Sequence, residues 1–263
     1  FCNSNRISLM KYGISNLAIV PMRIEAVDQT EMVNQILFGE HFKVLEVRKK
    51  WSKVRLAHDS YEGWICNKQW IEIEEDIYKQ LDKEVSTITI DILDIISKDH
   101  HQPIVIGSIL PSYKSGYALI NNEMYKFDGL TTAGFTKKEK LAENALMYLN
   151  APYLWGGRSP LGIDCSGFTQ MVYRLQGIDL PRDACQQAEV GTTLSFVEES
   201  EAGDLVFFDN NEGRITHVGI ILENNHIIHA SGKVRVDRID QQGIFNKELG
   251  THTHKLRLIK SIC

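Results

Sequence analysis

The chain has 263 residues, and 43% of them are hydrophobic, enough to build more than one core. Its formal charge of -5 comes from acidic and basic residues mixed along the chain, which argues against a general nucleic-acid or membrane-surface binder. No apolar run is long enough to cross a bilayer as a helix.

The chain opens on Phe1 rather than Met, which raises the expectation of a removed leader. Cys2, followed by Asn3-Ser4-Asn5, fits the acylated cysteine of a lipoprotein, and equally an ordinary exposed thiol. The first reading places the chain in the cell envelope or periplasm, held by lipid; the second leaves the cytoplasm open.

Residues 1–76 read as short strands. "LAIVPMRIE" carries a proline, "HFKVLEVRKKWSKVRL" alternates and turns near Lys49-Lys50, and "YEGWIC" is a short aromatic strand. Several strands at this spacing predict a small barrel or sandwich. The set Phe38-Gly39-Glu40, Trp51 and Tyr61-Glu62-Gly63-Trp64-Ile65 resembles a bacterial SH3-like domain. Residues 74–84 predict a short linking helix. In the second unit, 77–130, strand-like runs return from residue 85 as "TITIDILDII", "PIVIGSIL" and "YALINNEMYKF", with a turn at Asn121-Asn122. Their length fits a second, degenerate SH3-like barrel.

The texture changes for the third unit, 131–263. "TKKEKLAENALMYLN" has Leu141, Ala145, Leu146 and Leu149 at helical spacing, with Thr136 and Glu139 as a capping box. From Cys165, "CSGFTQMVYRLQG" sets Phe168, Met171, Val172 and Leu175 on one face and stops at Gly177. "GDLVFF", "THVGIIL" and "HIIHAS" follow as antiparallel strands, so the unit reads as α+β.

There are five cysteines, at 2, 66, 165, 185 and 263, an odd number without zinc or disulfide-scaffold spacing. Cys165 opens a helix, where unpaired backbone N–H groups and the helix dipole favour a thiolate and lower its pKa. A nearby histidine would serve as base and acid. His217 and His229 lie on consecutive strands joined at Glu223-Asn224-Asn225. A three-residue loop sets 229 opposite 219 and brings 217 onto the same face; a two-residue loop separates them. Taken singly, each residue also reads as a buried filler or a core histidine. A metal site through His217, His226 and His229 is disfavoured, because 226 and 229 face opposite ways and no acidic ligand is evident.

Taken together, "PYLWGGRSPLGIDCSGF", "LPRDACQQAEVG", "AGDLVFF", "THVGIIL" and "IIHASG" resemble the NlpC-type papain-like cysteine peptidases of bacterial cell-wall metabolism. The resemblance implies Cys165 as nucleophile, His217 as base and His229 as third polar residue, without metal or cofactor. With two SH3-like barrels in front, the architecture resembles the γ-D-glutamyl-L-diamino acid endopeptidases. These act on peptidoglycan stem peptides with a free N-terminal L-Ala, at the bond before diaminopimelate or Lys. The resemblance carries cleft roles to Glu31, Tyr61, Tyr153, Trp155, Asp164, Ser166, Arg182 and Asp183. A substrate ammonium needs a carboxylate, for which Glu31 or Asp164 serves, and the D-Glu α-carboxylate needs donors such as Ser166 and Arg182. The pattern departs at Ala184, where the family often has Ser. A monomer is expected. Two alternatives stay open: a non-catalytic wall-binding module, and an acyltransferase using the same thioester chemistry.

Overall fold

The computed structural model describes residues 10–135 and 137–262; Cys2, Thr136 and Cys263 lie outside them, and with them the lipid-anchor reading and one half of the Thr136–Glu139 box. The molecule is mostly β, with few helices. Seven antiparallel strands form the first sheet, in the order Met32–Leu37, Ile19–Arg23, Glu62–Cys66, Trp51–Leu56, His41–Val47, Lys11–Ile14 and Ile71–Ile73. Alternation builds its core: Val20, Met22, Ile36, Phe42, Val44, Val54, Leu56 and Ile65 pack together. Pro21 is tolerated because its strand meets Glu62–Cys66 only through Arg23 and Trp64, leaving the proline nitrogen outside that ladder. Helix α1 (Glu75–Lys83) follows and buries Tyr78 and Leu81.

The middle runs are more broken than their apolar pattern predicts. "TITIDILDII" bends at Asp91 into Thr87–Thr89 and Leu93–Ser97, which join different sheets. "PIVIGSIL" turns after Val105, whose carbonyl accepts from Ser108 N–H at 3.1 Å, and splits into His101–Val105 and Ile109–Leu110. A four-stranded and a three-stranded sheet result.

Helix α2 (Lys140–Leu146) is shorter than its periodicity suggests. Leu141 and Ala145 are buried as expected, but Leu146 and Leu149 stay 47% and 43% exposed, and Tyr148 fills the buried face instead. Helix α3 (Cys165–Arg174) is buried on every side and ends where Gly177 takes φ +75°. A short helix α4 (Ala184–Gln187) follows. The last sheet runs Thr192–Leu194, Thr251–Ser261, Leu205–Asp209, Ile215–Leu222, His226–Ser231, Lys233–Asp240, Gly243–Asn246. Gly243–Asn246 also pairs with Thr251–Ser261, closing six of these strands into a barrel against which α3 packs.

The first sheet is clamped to this barrel unit by buried charge. Glu40 is fully buried and accepts from Arg158 Nη1 and Nη2, both at 2.9 Å, from Arg174 Nη1 at 2.5 Å and from Leu37 N–H at 2.8 Å. Gln35 caps the same guanidinium through its carbonyl and accepts from Arg158 N–H through its side chain. The Glu40 oxygens thus meet four donors, which offsets the cost of desolvating the carboxylate, while Arg158 Nε is left buried without a partner.

Candidate active site

Asp164 is the N-cap of α3. Its Oδ1 accepts from Gly167 N–H at 2.7 Å and its Oδ2 from Gly156 N–H at 2.8 Å. This fastens the loop before the helix to its first turn and places Cys165 at the first helical position. Gly156 holds φ +76°, and a Cβ there would stand 2.4 Å from the Met32 carbonyl oxygen. Only glycine lets this loop approach the first sheet so closely.

Cys165 is buried, with the backbone N–H groups of Val218 and Ser166 near enough to its sulfur to favour the thiolate. The Val218 contact brings the start of the Ile215–Leu222 strand against the sulfur. That strand and His226–Ser231 are joined by three residues, and Gly219 lies opposite His229, the register in which the two histidines share a face. His217 Nε2 and His229 Nδ1 are 2.8 Å apart.

The expectation of a lowered thiol pKa is corrected here. Burial, followed by the charge of Asp164, pushes the Cys165 thiol up to about 12. Burial, followed by His229 and His254, holds His217 well below the ordinary histidine value. Desolvation outweighs the helix terminus, and the pair rests as thiol and neutral imidazole.

The sulfur opens onto a cleft of about 490 Å³. Glu31, Tyr61, Tyr153, Trp155, Asp164, Ser166, Arg182 and Asp183 all line it, together with Ala184, Cys185 and Thr216. Glu31 and Tyr61 come from the first sheet unit, the others from the barrel unit. Trp155 Nε1 donates to Glu31 Oε1 at 2.5 Å across the junction. His217 and His229 lie behind this surface. Burial raises the phenol pKa of Tyr61 and of Tyr153 to about 12, so both stay protonated donors. Asp164 also takes Arg182 on both oxygens, at 3.0 and 2.5 Å, while Arg182 Nη1 reaches Ser166 Oγ at 3.0 Å and its Nε reaches Asn34 Oδ1 at 2.9 Å. Asp164 is thus saturated by protein donors, and Glu31 is the exposed carboxylate of the cleft. Among the described residues no group of three or more His, Cys, Asp or Glu is placed to hold a metal ion.

Three side chains around the histidines are absent from the sequence reading. Asp237 Oδ2 is 3.0 Å from His229 Nε2, Arg235 Nε is 2.6 Å from that same oxygen, and the His254 ring stacks on His217 with centroids 4.3 Å apart. Strand alternation in "KVRVDRID" and "THTHKL" is the signal that could have found them.

Residues 150–253 match the NlpC/P60 family, and residues 22–69 match the bacterial dipeptidyl-peptidase Sh3 domain. The chain is 27% identical over 231 residues to a gamma-D-glutamyl-L-lysine dipeptidyl-peptidase of Bacillus cereus, covering 76% of this chain and 67% of that one. It is 28% identical over 250 residues to dipeptidyl-peptidase 6 of Lysinibacillus sphaericus, covering 84% and 89%. Its fold superposes on the crystal structure of an NlpC/P60 family protein from Bacillus cereus with a TM-score of 0.79, at 18% identity, over 95% of this chain and 99% of that one. Residues 150–253 belong to the NlpC/P60 family of cysteine peptidases, and they follow a bacterial dipeptidyl-peptidase SH3 domain in the same chain.

Proposed function

We propose that the chain is a cysteine endopeptidase that hydrolyses the γ-D-glutamyl–diamino acid bond of peptidoglycan-derived peptides with a free N-terminal L-Ala. The observation that carries this reading is a cleft lined by both Cys165 and Glu31, an exposed carboxylate from the SH3 domain. The relatives named gamma-D-glutamyl-L-lysine dipeptidyl-peptidase support the same bond.

In this reading Cys165 is the nucleophile, His217 the base and His229 its partner. Sγ attacks the γ-carbonyl carbon while its proton passes to His217. The oxyanion meets the backbone N–H of Cys165, which at the first helical position has no intrahelical acceptor. The tetrahedral intermediate collapses, the C–N bond breaks, and the leaving amine takes the proton from His217. Water then attacks the thioester as His217 accepts its proton; the proton returns to sulfur as the dipeptide leaves. Starting from neutral partners, Cys165 and His217 carry no charge until the proton passes between them.

Glu31 receives the L-Ala ammonium, with Trp155 as its second partner. Ser166, Tyr61 and Tyr153 offer hydroxyls to the substrate, and Arg182 and Asp183 shape the wall that carries them. Asp164 holds that wall rather than the ammonium, because its acceptors are spent. Incubation with L-Ala-γ-D-Glu-meso-diaminopimelate, and with its L-Lys counterpart, should release L-Ala-D-Glu. N-acetylation of the L-Ala should abolish release. Absence of turnover by reduced protein, or full turnover by Cys165→Ala, refutes the reading. Products formed with added amines separate hydrolysis from acyl transfer.

A further inference from the structure

We infer that Asp237 is a positioning residue of the proton relay: by accepting from His229 it decides which nitrogen of His217 is basic. The inference rests on the reading of Cys165 and His217 as the reacting pair.

The logic starts at the carboxylate. Asp237 is buried, with Oδ2 held 3.0 Å from His229 Nε2 and 2.6 Å from Arg235 Nε, and Oδ1 3.0 Å from Arg235 Nη2. Burial alone would raise its pKa, but the bonds from His229 and Arg235 more than offset this and bring it to about 2. At neutral pH the carboxylate is therefore ionised, and an ionised carboxylate only accepts. The hydrogen between them sits on His229 Nε2. A neutral imidazole carries one N–H, so His229 Nδ1 is an acceptor. The atom 2.8 Å from it is His217 Nε2, which must then donate. His217 is left with its lone pair on Nδ1, the one ring nitrogen able to take the Cys165 proton. Each step follows from the one before, and the whole direction is set by a single anion two side chains away.

The sheet explains why this row exists. His229 pairs with Gly219 on one side and Arg235 on the other; His217 and Asp237 each stand two residues from those partners, on the face of His229. His254, from Thr251–Ser261, stacks at 28° on His217 and keeps the ring in line. Without Asp237, His229 is free to carry its hydrogen on Nδ1. It would then donate to His217 Nε2, move the His217 hydrogen to Nδ1 and turn the base away from its task.

The test reads the ring nitrogens directly. In full-length protein labelled with ¹⁵N-histidine, NMR should show His229 and His217 both protonated on Nε2 and bare on Nδ1; a hydrogen on Nδ1 of either overturns the inference. Asp237→Ala should lower kcat on the stem peptide by about 10- to 100-fold with KM nearly unmoved, the scale felt when the partner orienting a functional histidine is lost. Arg235→Met, which removes the clamp but not the acceptor, should cost far less. In a His229→Ala background, Asp237→Ala should have no further effect on kcat. An undiminished loss there assigns Asp237 a purely structural role and overturns the inference. The wild-type nitrogen signals carry the test even if Asp237→Ala fails to fold. They are also independent of turnover, so a failed peptide assay would sink the proposed reaction and leave this measurement interpretable.

Discussion

Glu40→Gln removes a buried charge and leaves shape almost unchanged. The native carboxylate is fully buried between Arg158 and Arg174. Burial would raise its pKa, but the charges of Arg158, then Arg174 and His58, overcome it and bring the value from 4.5 to about 2. A depression of that size corresponds to about 3 kcal/mol of folding stability. Because the folded value is the lower one, this stability is present above the unfolded pKa and is lost as pH falls towards about 2. Gln at this position removes the charge and turns an amide N–H₂ towards guanidinium donors, leaving two buried cations uncompensated; one-sided loss of a buried pair costs about 3–5 kcal/mol. At pH 7 the variant should melt roughly 6–20 °C below the native chain. At pH 3 the gap should narrow by roughly 2 kcal/mol, since the native carboxylate has then lost much of its advantage. Thermal and urea unfolding at both pH values measure this. Equal stability at pH 7, or a gap that ignores pH, would refute the reasoning.

The thiols should separate chemically. Iodoacetamide at pH 7 should label exposed Cys185 before Cys165, and Cys165 labelling should keep rising with pH through 9, because burial holds its pKa near 12; a plateau near neutrality, read by mass spectrometry, would show a thiolate instead. Glu31→Gln should raise KM for the free-amine peptide about fivefold, as befits an exposed charge, with kcat held. His254→Ala removes a ring stack worth roughly 0.5–1.5 kcal/mol and should lower kcat between a few-fold and about tenfold without moving KM.

The site was legible in the sequence where local rules decide it. Helix-start physics places Cys165, and the three residues Glu223-Asn224-Asn225 fix the register that joins His217 to His229. The apolar face of α3 holds too, since Phe168, Met171 and Val172 are fully buried. What escaped depends on distant packing. Leu149 continues the apolar spacing of α2, but the helix stops at Leu146, the turn after it sends Tyr148 inward against Phe168, and the leucine is left outside. Asp237 shows only as strand alternation across the hairpin that follows His229, and His254 only as alternation in a strand brought to the site by the long-range pairing of Thr251–Ser261 with Leu205–Asp209. The thiol pKa escaped for a different reason: a helix terminus is visible in sequence, whereas the burial that outweighs it is not.

The Met32–Leu37 strand shows why the SH3 domain is part of the cleft rather than an attachment to it. Its Met32 carbonyl packs on Gly156, Asn34 accepts from Arg182, and Gln35 holds Arg158. Glu31 precedes the strand and Glu40 follows it, so one register sets both carboxylates. Glu40 is driven into the interface and spent on two arginines, whereas Glu31 is left in the cleft with one indole N–H. A slip of one residue would turn Asn34 and Gln35 to opposite faces, break both arginine contacts and withdraw Glu31 from Trp155 at the same stroke. The buried cluster is thus what gives the exposed carboxylate a fixed place, and the stability lost in Glu40→Gln should appear in turnover as well: a rise in KM for the free-amine peptide that repeats the Glu31→Gln effect without touching any residue of the cleft.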